Sequence, residues 1–103
     1  MKITIIGLGL IGGSLAKDLK KNGFATELRG VEINESHARE AIRLKLVDRI
    51  LPLEEAVKNT DLVIIAIPVD KTLEVLPRVL DLIDSGTTVA DMGSTKKQLT
   101  NAI

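Results

Sequence analysis

Apolar residues in this chain fall into two kinds of run, and the two kinds alternate. Ile3-Thr4-Ile5-Ile6 and Leu62-Val63-Ile64-Ile65-Ala66-Ile67 are nearly continuous, while the segments between them carry apolar residues at helical spacing. A short continuous run predicts a strand covered on both faces, as in the middle of a parallel sheet. Residues 2–6 read as the first strand. A helix follows over 10–22, with Ile11, Leu15 and Leu19 toward the sheet, Lys17, Lys20 and Lys21 on the solvated side, and Asn22-Gly23 as its end. Residues 26–33 predict the second strand. Asn34 or Ser36 can cap a second helix running to about residue 46, with Ala38, Ala41 and Ile42 as its narrow apolar stripe. Residues 48–51 read as a short third strand stopped by Pro52, and 53–59 as a brief helix. The fourth strand covers 62–67 and stops at Pro68. A helix over 70–83 would place Leu73, Leu76, Leu80 and Ile83 on one face, with a kink or a break into two helices at Pro77. Residues 87–91 predict the fifth strand, and Thr95 opens a further helix.

Strict alternation of strand and helix predicts a parallel sheet with right-handed crossovers, an α/β fold. The 103 residues suit one domain with one core, and the chain shows no internal repeat or linker. Charge narrows the function. Fourteen basic and 14 acidic residues balance, which removes the electrostatic argument for nucleic acid or an anionic membrane. Phe24 is the only aromatic residue, so stacking on bases is not available either. Absence of cysteine excludes disulfides and thiol chemistry and fits a reducing cytoplasm, the expected location. The sequence shows no signal peptide and no apolar run of membrane-spanning length. No metal site is expected. His37, the only histidine, falls in the first turn of the second helix, with no nucleophile or carboxylate partner evident, and reads as a surface residue.

The chemistry concentrates where the first strand meets the first helix. Gly7, Gly9 and Gly12 form G-x-G-x-x-G after an apolar strand and at the opening of a helix. Gly7 permits a tight turn, Gly9 lets a pyrophosphate approach the backbone, and Gly12 permits close helix packing. The N–H groups at the helix start, from Leu10 and Ile11, then point at the phosphates. The G-K-[ST] ending of a triphosphate loop is missing. Three glycines can also serve merely as a tight turn, but Glu32 stands 20 residues beyond Gly12 at the end of the second strand. Its carboxylate suits adenosine ribose hydroxyls and repels a 2′-phosphate, so NAD is expected over NADP. Arg29 lies three residues earlier in the strand and is a less suitable phosphate partner. This reading is a Rossmann-type doubly wound sheet of order 3-2-1-4-5, with the site between strands 1 and 4. A flavodoxin-like order, 2-1-3-4-5, is the alternative. Gly13 is an extra helical glycine, for which close contact with cofactor or a neighbouring loop is expected.

Two further segments reach the same carboxyl edge. Ile67-Pro68-Val69 follows the fourth strand, where Pro68 either stiffens a loop beside the nicotinamide half of the cofactor or simply ends the strand. Asp91-Met92-Gly93-Ser94-Thr95-Lys96 follows the fifth, where Ser94 or Thr95 can cap the next helix and Gln98 can complete a capping box with Thr95. Capping by Ser94 is compatible with a catalytic role.

Four stretches together carry a family resemblance. They are Gly-Leu-Gly-Leu-Ile-Gly-Gly-Ser-Leu-Ala at 7–16, Gly-Val-Glu-Ile-Asn at 30–34, Ala-Ile-Pro-Val at 66–69 and Asp-Met-Gly-Ser-Thr-Lys at 91–96. In these the chain resembles the N-terminal domain of the prephenate dehydrogenase family, arogenate-using relatives included. The resemblance covers essentially the whole chain. It implies NAD-dependent oxidative decarboxylation of prephenate to 4-hydroxyphenylpyruvate on the route to tyrosine. Ser94 would be the catalytic residue that hydrogen-bonds near the substrate hydroxyl. Gly7, Gly9, Leu10, Ile11, Gly12, Glu32, Ile67, Pro68 and Val69 would bind the cofactor. Glu32 stands where aspartate is commoner in the family. The resemblance also places the proton-accepting histidine in a His-Pro segment after a sixth strand, and the substrate arginine and homodimer contacts in a C-terminal helical domain. None of these lies within residues 1–103, and His37 does not match that histidine. The expectation is a cofactor domain that is inactive alone and belongs to a longer homodimeric enzyme.

Overall fold

The computed structural model describes residues 1–91, the side chains of Leu10, Ile11 and Val69 excepted. The elements are β1 (Lys2–Ile6), α1 (Leu10–Lys21), β2 (Glu27–Val31), α2 (Glu35–Arg43), β3 (Arg49–Ile50), α3 (Leu53–Ala56), β4 (Leu62–Ile65), α4 (Val69–Leu82) and β5 (Thr88–Asp91). The described strands form one parallel sheet in the order β3-β2-β1-β4-β5. β1 thus lies between β2 and β4, which excludes the flavodoxin-like order. Ile6 pairs with Val31 on one side and Ile65 on the other, so all three central strands end level, at the switch point of the sheet.

The continuous apolar runs divide between the two faces with period two. Ile3, Ile5, Leu28 and Ile64 pack on one face with Ala16 of α1, Ala41 of α2 and Val47. Ile6, Val63 and Ile65 pack on the other with Leu53 of α3, Val57 and Val79 of α4. Each of the Ile, Leu and Val side chains contributes about 1.5–3 kcal/mol by leaving water. Buried polar groups on the second face have partners. Thr4 Oγ1 donates to the Ala56 carbonyl at 2.6 Å and meets Thr60 Oγ1 at 3.2 Å. Arg29, 9% exposed, sends Nη1 to the carbonyls of Lys58 (2.6 Å) and Ala56 (3.4 Å) and Nη2 to that of Asn59 (3.3 Å). Its guanidinium therefore closes the end of α3 and is not available to a cofactor phosphate.

Helix ends follow local chemistry. Asn22 caps the C-terminus of α1 and Gly23 follows at φ +72°. Asn34 caps α2, its Oδ1 accepting from the His37 N–H at 3.1 Å. α2 stops at Arg43, short of the expected residue 46, because Lys45 turns left-handed at φ +57°. Ile42 of its expected stripe is 48% exposed, while Ala41 is buried.

α4 departs most from the pattern. It is one continuous helix through Pro77, not two. The proline ring leaves the Leu73 carbonyl without an amide partner, and Leu73 is 71% exposed, so water reaches that turn. The inward line is Thr72, Val75, Leu76 and Val79, at i, i+3, i+4 and i+7. Leu73 and Leu80, expected to face the core, are 71% and 55% exposed. The Thr72 hydroxyl, bonded to the Ile67 and Pro68 carbonyls at 3.3 and 3.2 Å, fixes the first turn in this rotation.

Candidate functional site

The glycine turn is built by steric necessity at two positions and by openness at a third. Gly7 has φ +96°, and a Cβ there would lie 2.5 Å from Ile67 Cγ2 and 2.6 Å from the Ala66 carbonyl oxygen. A Cβ at Gly12 would overlap the Gly7 carbonyl oxygen. At Gly9 nothing stands within 4 Å of the same point. The turn is therefore closed beneath and open above Gly9, as the approach of a pyrophosphate requires. α1 begins directly after it, and its first bond runs from the Gly13 N–H to the Gly9 carbonyl at 2.8 Å. The N–H groups of Leu10, Ile11 and Gly12 precede that bond and have no partner within the helix. Among the described residues no side chain caps this end and its first turn holds no acid, while Lys20 and Lys21 occupy the last turn. That arrangement favours an anion at the open end.

Glu32 lies just past the end of β2, beside this turn. Its Oε1 accepts the Leu8 N–H at 2.6 Å and its Oε2 accepts the Asn34 N–H at 3.0 Å. The side chain is 9% exposed. The carboxylate is thus held by the glycine turn on one side and by the cap of α2 on the other. An ionised carboxylate offers about four lone-pair sites, so two backbone bonds leave capacity for hydroxyl donors. Leu8 itself is buried, and its side chain fills the space over Gly30, where a Cβ would lie 2.5 Å from Leu8 Cδ1.

The loop after β4 completes the edge. Ile67 is half-buried against the second core cluster and supports Gly7 from below. Pro68 is the N-cap of α4 and Val69 its first residue. The structure thus brings the glycine turn, Glu32 and residues 67–69 to one edge of the sheet. Ser94 lies outside the described residues. Gly13 faces the neighbouring loop after α2, one of the two contacts expected of it: the nearest atom to its Cβ point is Leu46 Cδ1 at 3.4 Å, a van der Waals distance that leaves room for a methyl group.

Four contributors were not assigned to the site from sequence. Leu8, Asn34 and Gly30 act through backbone N–H groups or through the absence of a side chain, which no residue-type pattern marks. His37 does have a carboxylate beside it: Nδ1 lies 3.8 Å from Glu32 Oε1. The two are five residues apart, and the cap at Asn34 turns the chain back to join them. Among the described residues no group of three His, Cys, Asp or Glu side chains could hold a metal ion, and no helix is long and apolar enough to cross a membrane.

Comparison with known proteins agrees with this geometry. The family described as "Prephenate dehydrogenase, nucleotide-binding domain" matches residues 15–103. Prephenate dehydrogenase of Bacillus subtilis (strain 168) is 39% identical over 103 residues, covering 96% of this chain and 28% of that protein. Its counterpart in Lactococcus lactis subsp. cremoris (strain MG1363) is 37% identical over 100 residues, covering 95% and 28%. Among solved structures, the prephenate dehydrogenase from A. aeolicus, in complex with hydroxyphenyl propionate and NAD+, superposes with a TM-score of 0.83 at 29% identity over 98% of this chain and 38% of that one. Synechocystis arogenate dehydrogenase superposes with a TM-score of 0.83 at 31% identity over 96% and 35%. The chain spans 28% of the length of the curated relatives it matches.

Proposed function

Because this chain belongs to the family of prephenate dehydrogenase nucleotide-binding domains, we propose that residues 1–103 are the NAD-binding domain of a longer, cytoplasmic and homodimeric prephenate dehydrogenase. The observation that carries the cofactor assignment is Glu32, which is nearly buried, bonded to two backbone N–H groups and set beside the open space over Gly9. Bound NAD supplies the hydride acceptor for oxidation at the ring carbon that bears the substrate hydroxyl, with loss of carbon dioxide and formation of 4-hydroxyphenylpyruvate. The residues of this chain bind and orient. Gly9, Leu10, Ile11 and Gly12 hold the pyrophosphate by backbone N–H groups at the α1 N-terminus, and Gly7, whose own N–H is bonded to the Val31 carbonyl at 2.8 Å, shapes the turn that presents them. Glu32 accepts the ribose hydroxyls and keeps a 2′-phosphate away. Ile67, Pro68 and Val69 line the nicotinamide half. Ser94 hydrogen-bonds near the substrate hydroxyl. The substrate is prephenate, or the amino analogue arogenate, from which the same oxidation and loss of carbon dioxide would give tyrosine instead; similarity to a prephenate and to an arogenate dehydrogenase supports that class.

Titration of the 103-residue protein with NAD, followed by a turnover assay with prephenate, tests the proposal. Saturable NAD binding without turnover is expected. Turnover by this chain alone would overturn its reading as a cofactor domain, and absence of NAD binding would overturn the cofactor assignment.

A further inference from the structure

His37 is the third residue of α2, and its backbone is fixed by the bond from its N–H to Asn34 Oδ1. Its ring Nδ1 stands 3.8 Å from Glu32 Oε1. The carboxylate cannot move to or from the ring freely, because each of its oxygens already takes a backbone N–H. The ring itself is half in solvent, its side chain 52% exposed against 9% for Glu32. Protons therefore reach the imidazole, while the anion beside it stays in place.

The other charges facing the ring can be named. A groove runs from Leu8 and Gly9 past Ser14 to Lys17 of α1 on one wall and to His37 and Glu40 of α2 on the other. Glu40 is held by Arg43 one turn further along, and Glu35 pairs with Arg39. Both acids of α2 thus have their own cations. With a neutral imidazole, the charge beside the ribose position is that of Glu32. With an imidazolium, Glu32 is offset at ion-pair distance and Lys17 adds positive potential across the groove.

We propose that His37 is a specificity-determining residue of the cofactor site: neutral, it leaves Glu32 to reject a 2′-phosphate, and protonated, it offsets that charge and admits NADP. The proposal rests on the dinucleotide reading given above. The preference for NAD over NADP therefore falls as pH falls. An ion pair at this spacing in solvent-exposed surroundings corresponds to roughly a fivefold change in the ratio of the two affinities.

The test measures dissociation constants of NAD and NADP for the 103-residue protein at about pH 5.5 and about pH 8, at one ionic strength, an interval in which imidazoles change charge. A phosphate monoester takes up its own proton at about pH 6. That contribution is common to all variants, so the quantity read is the difference between the parent protein and His37→Gln. The parent is expected to lose about fivefold more of its NAD preference on acidification than His37→Gln does. His37→Lys, charged at both pH values, is expected to tolerate NADP at both. Equal pH dependence in the parent and His37→Gln, with NAD binding intact, would overturn the proposal and leave the cofactor assignment standing. So would a His37→Lys protein that discriminates like His37→Gln. A parent protein that binds no NAD would overturn the cofactor assignment and this proposal with it. The glutamine variant keeps the backbone N–H that bonds Asn34 and replaces a half-exposed ring, so the fold is retained.

Discussion

A methyl group added at Gly12 would overlap the Gly7 carbonyl, whereas the same methyl at Gly13 would rest 3.4 Å from Leu46 Cδ1. Gly13→Ala should therefore stabilise the protein by up to about 1 kcal/mol through helix propensity. Gly12→Ala should cost about 3 kcal/mol by displacing the turn. Urea unfolding of the two variants checks both, and a stable Gly12→Ala would show that the turn yields. Glu32→Gln keeps an acceptor for the Leu8 N–H but loses the charge. It should weaken NAD binding about tenfold, the scale of one charge-assisted hydrogen bond, and NADP binding less. Equal losses for the two cofactors would show that Glu32 does not read the 2′ position. At this scale the turn glycines and Glu32 were legible, because residue type and spacing alone carry their demands. The second task of Glu32, tying Leu8 and Asn34 together, was not. It depends on a bond between residues 24 apart in sequence, and leucine at position 8 carries no mark of it.

Among the elements, β2 and α4 show how a strand or helix can be found without its contacts being known. Arg29 sits in a strand and closes the end of α3 with three carbonyl bonds. Arg29→Met should cost about 3 kcal/mol, because the carbonyls of Ala56, Lys58 and Asn59 lose their donor inside the fold, while Glu27 keeps Arg49 as a cation. A chemical denaturation midpoint close to that of the parent would argue that water replaces the guanidinium. In α4, Pro77→Ala restores an amide donor to the Leu73 carbonyl and should raise stability by about 1–3 kcal/mol, readable as a higher melting temperature. The helix itself was legible from its apolar spacing. Its rotation was not, since Leu73 and Leu80 satisfy the same periodicity as Thr72 and Val79. The Thr72 hydroxyl bonds and the packing of Val75, Leu76 and Val79 on the second core cluster chose between the two lines.

The molecule as a whole carries a predictable response to acid. The Leu28 N–H bonded to Asp48, with the Lys20 ammonium beside it, holds that carboxyl below its ordinary value. A side-chain hydrogen bond from Arg29 does the same for Glu27. A carboxyl depressed in the folded state adds stability above its unfolded pKa and loses it as pH falls through the folded one. The urea midpoint should thus stay level from neutral pH to about pH 5 and fall below about pH 4. Asp48→Asn should flatten part of that fall, and an unchanged acid limb would remove Asp48 from the account. At this scale the sequence by itself determined the order of strands and helices, the glycine turn, the acid 20 residues on and the family these imply. Each of these is written in local spacing and residue type. It left two strand orders open and placed His37 on an unattached surface. Only the tertiary structure put β1 between β2 and β4, turned α4 to its inward line and set His37 beside Glu32. Such choices rest on contacts between segments far apart in the chain, which no local pattern records.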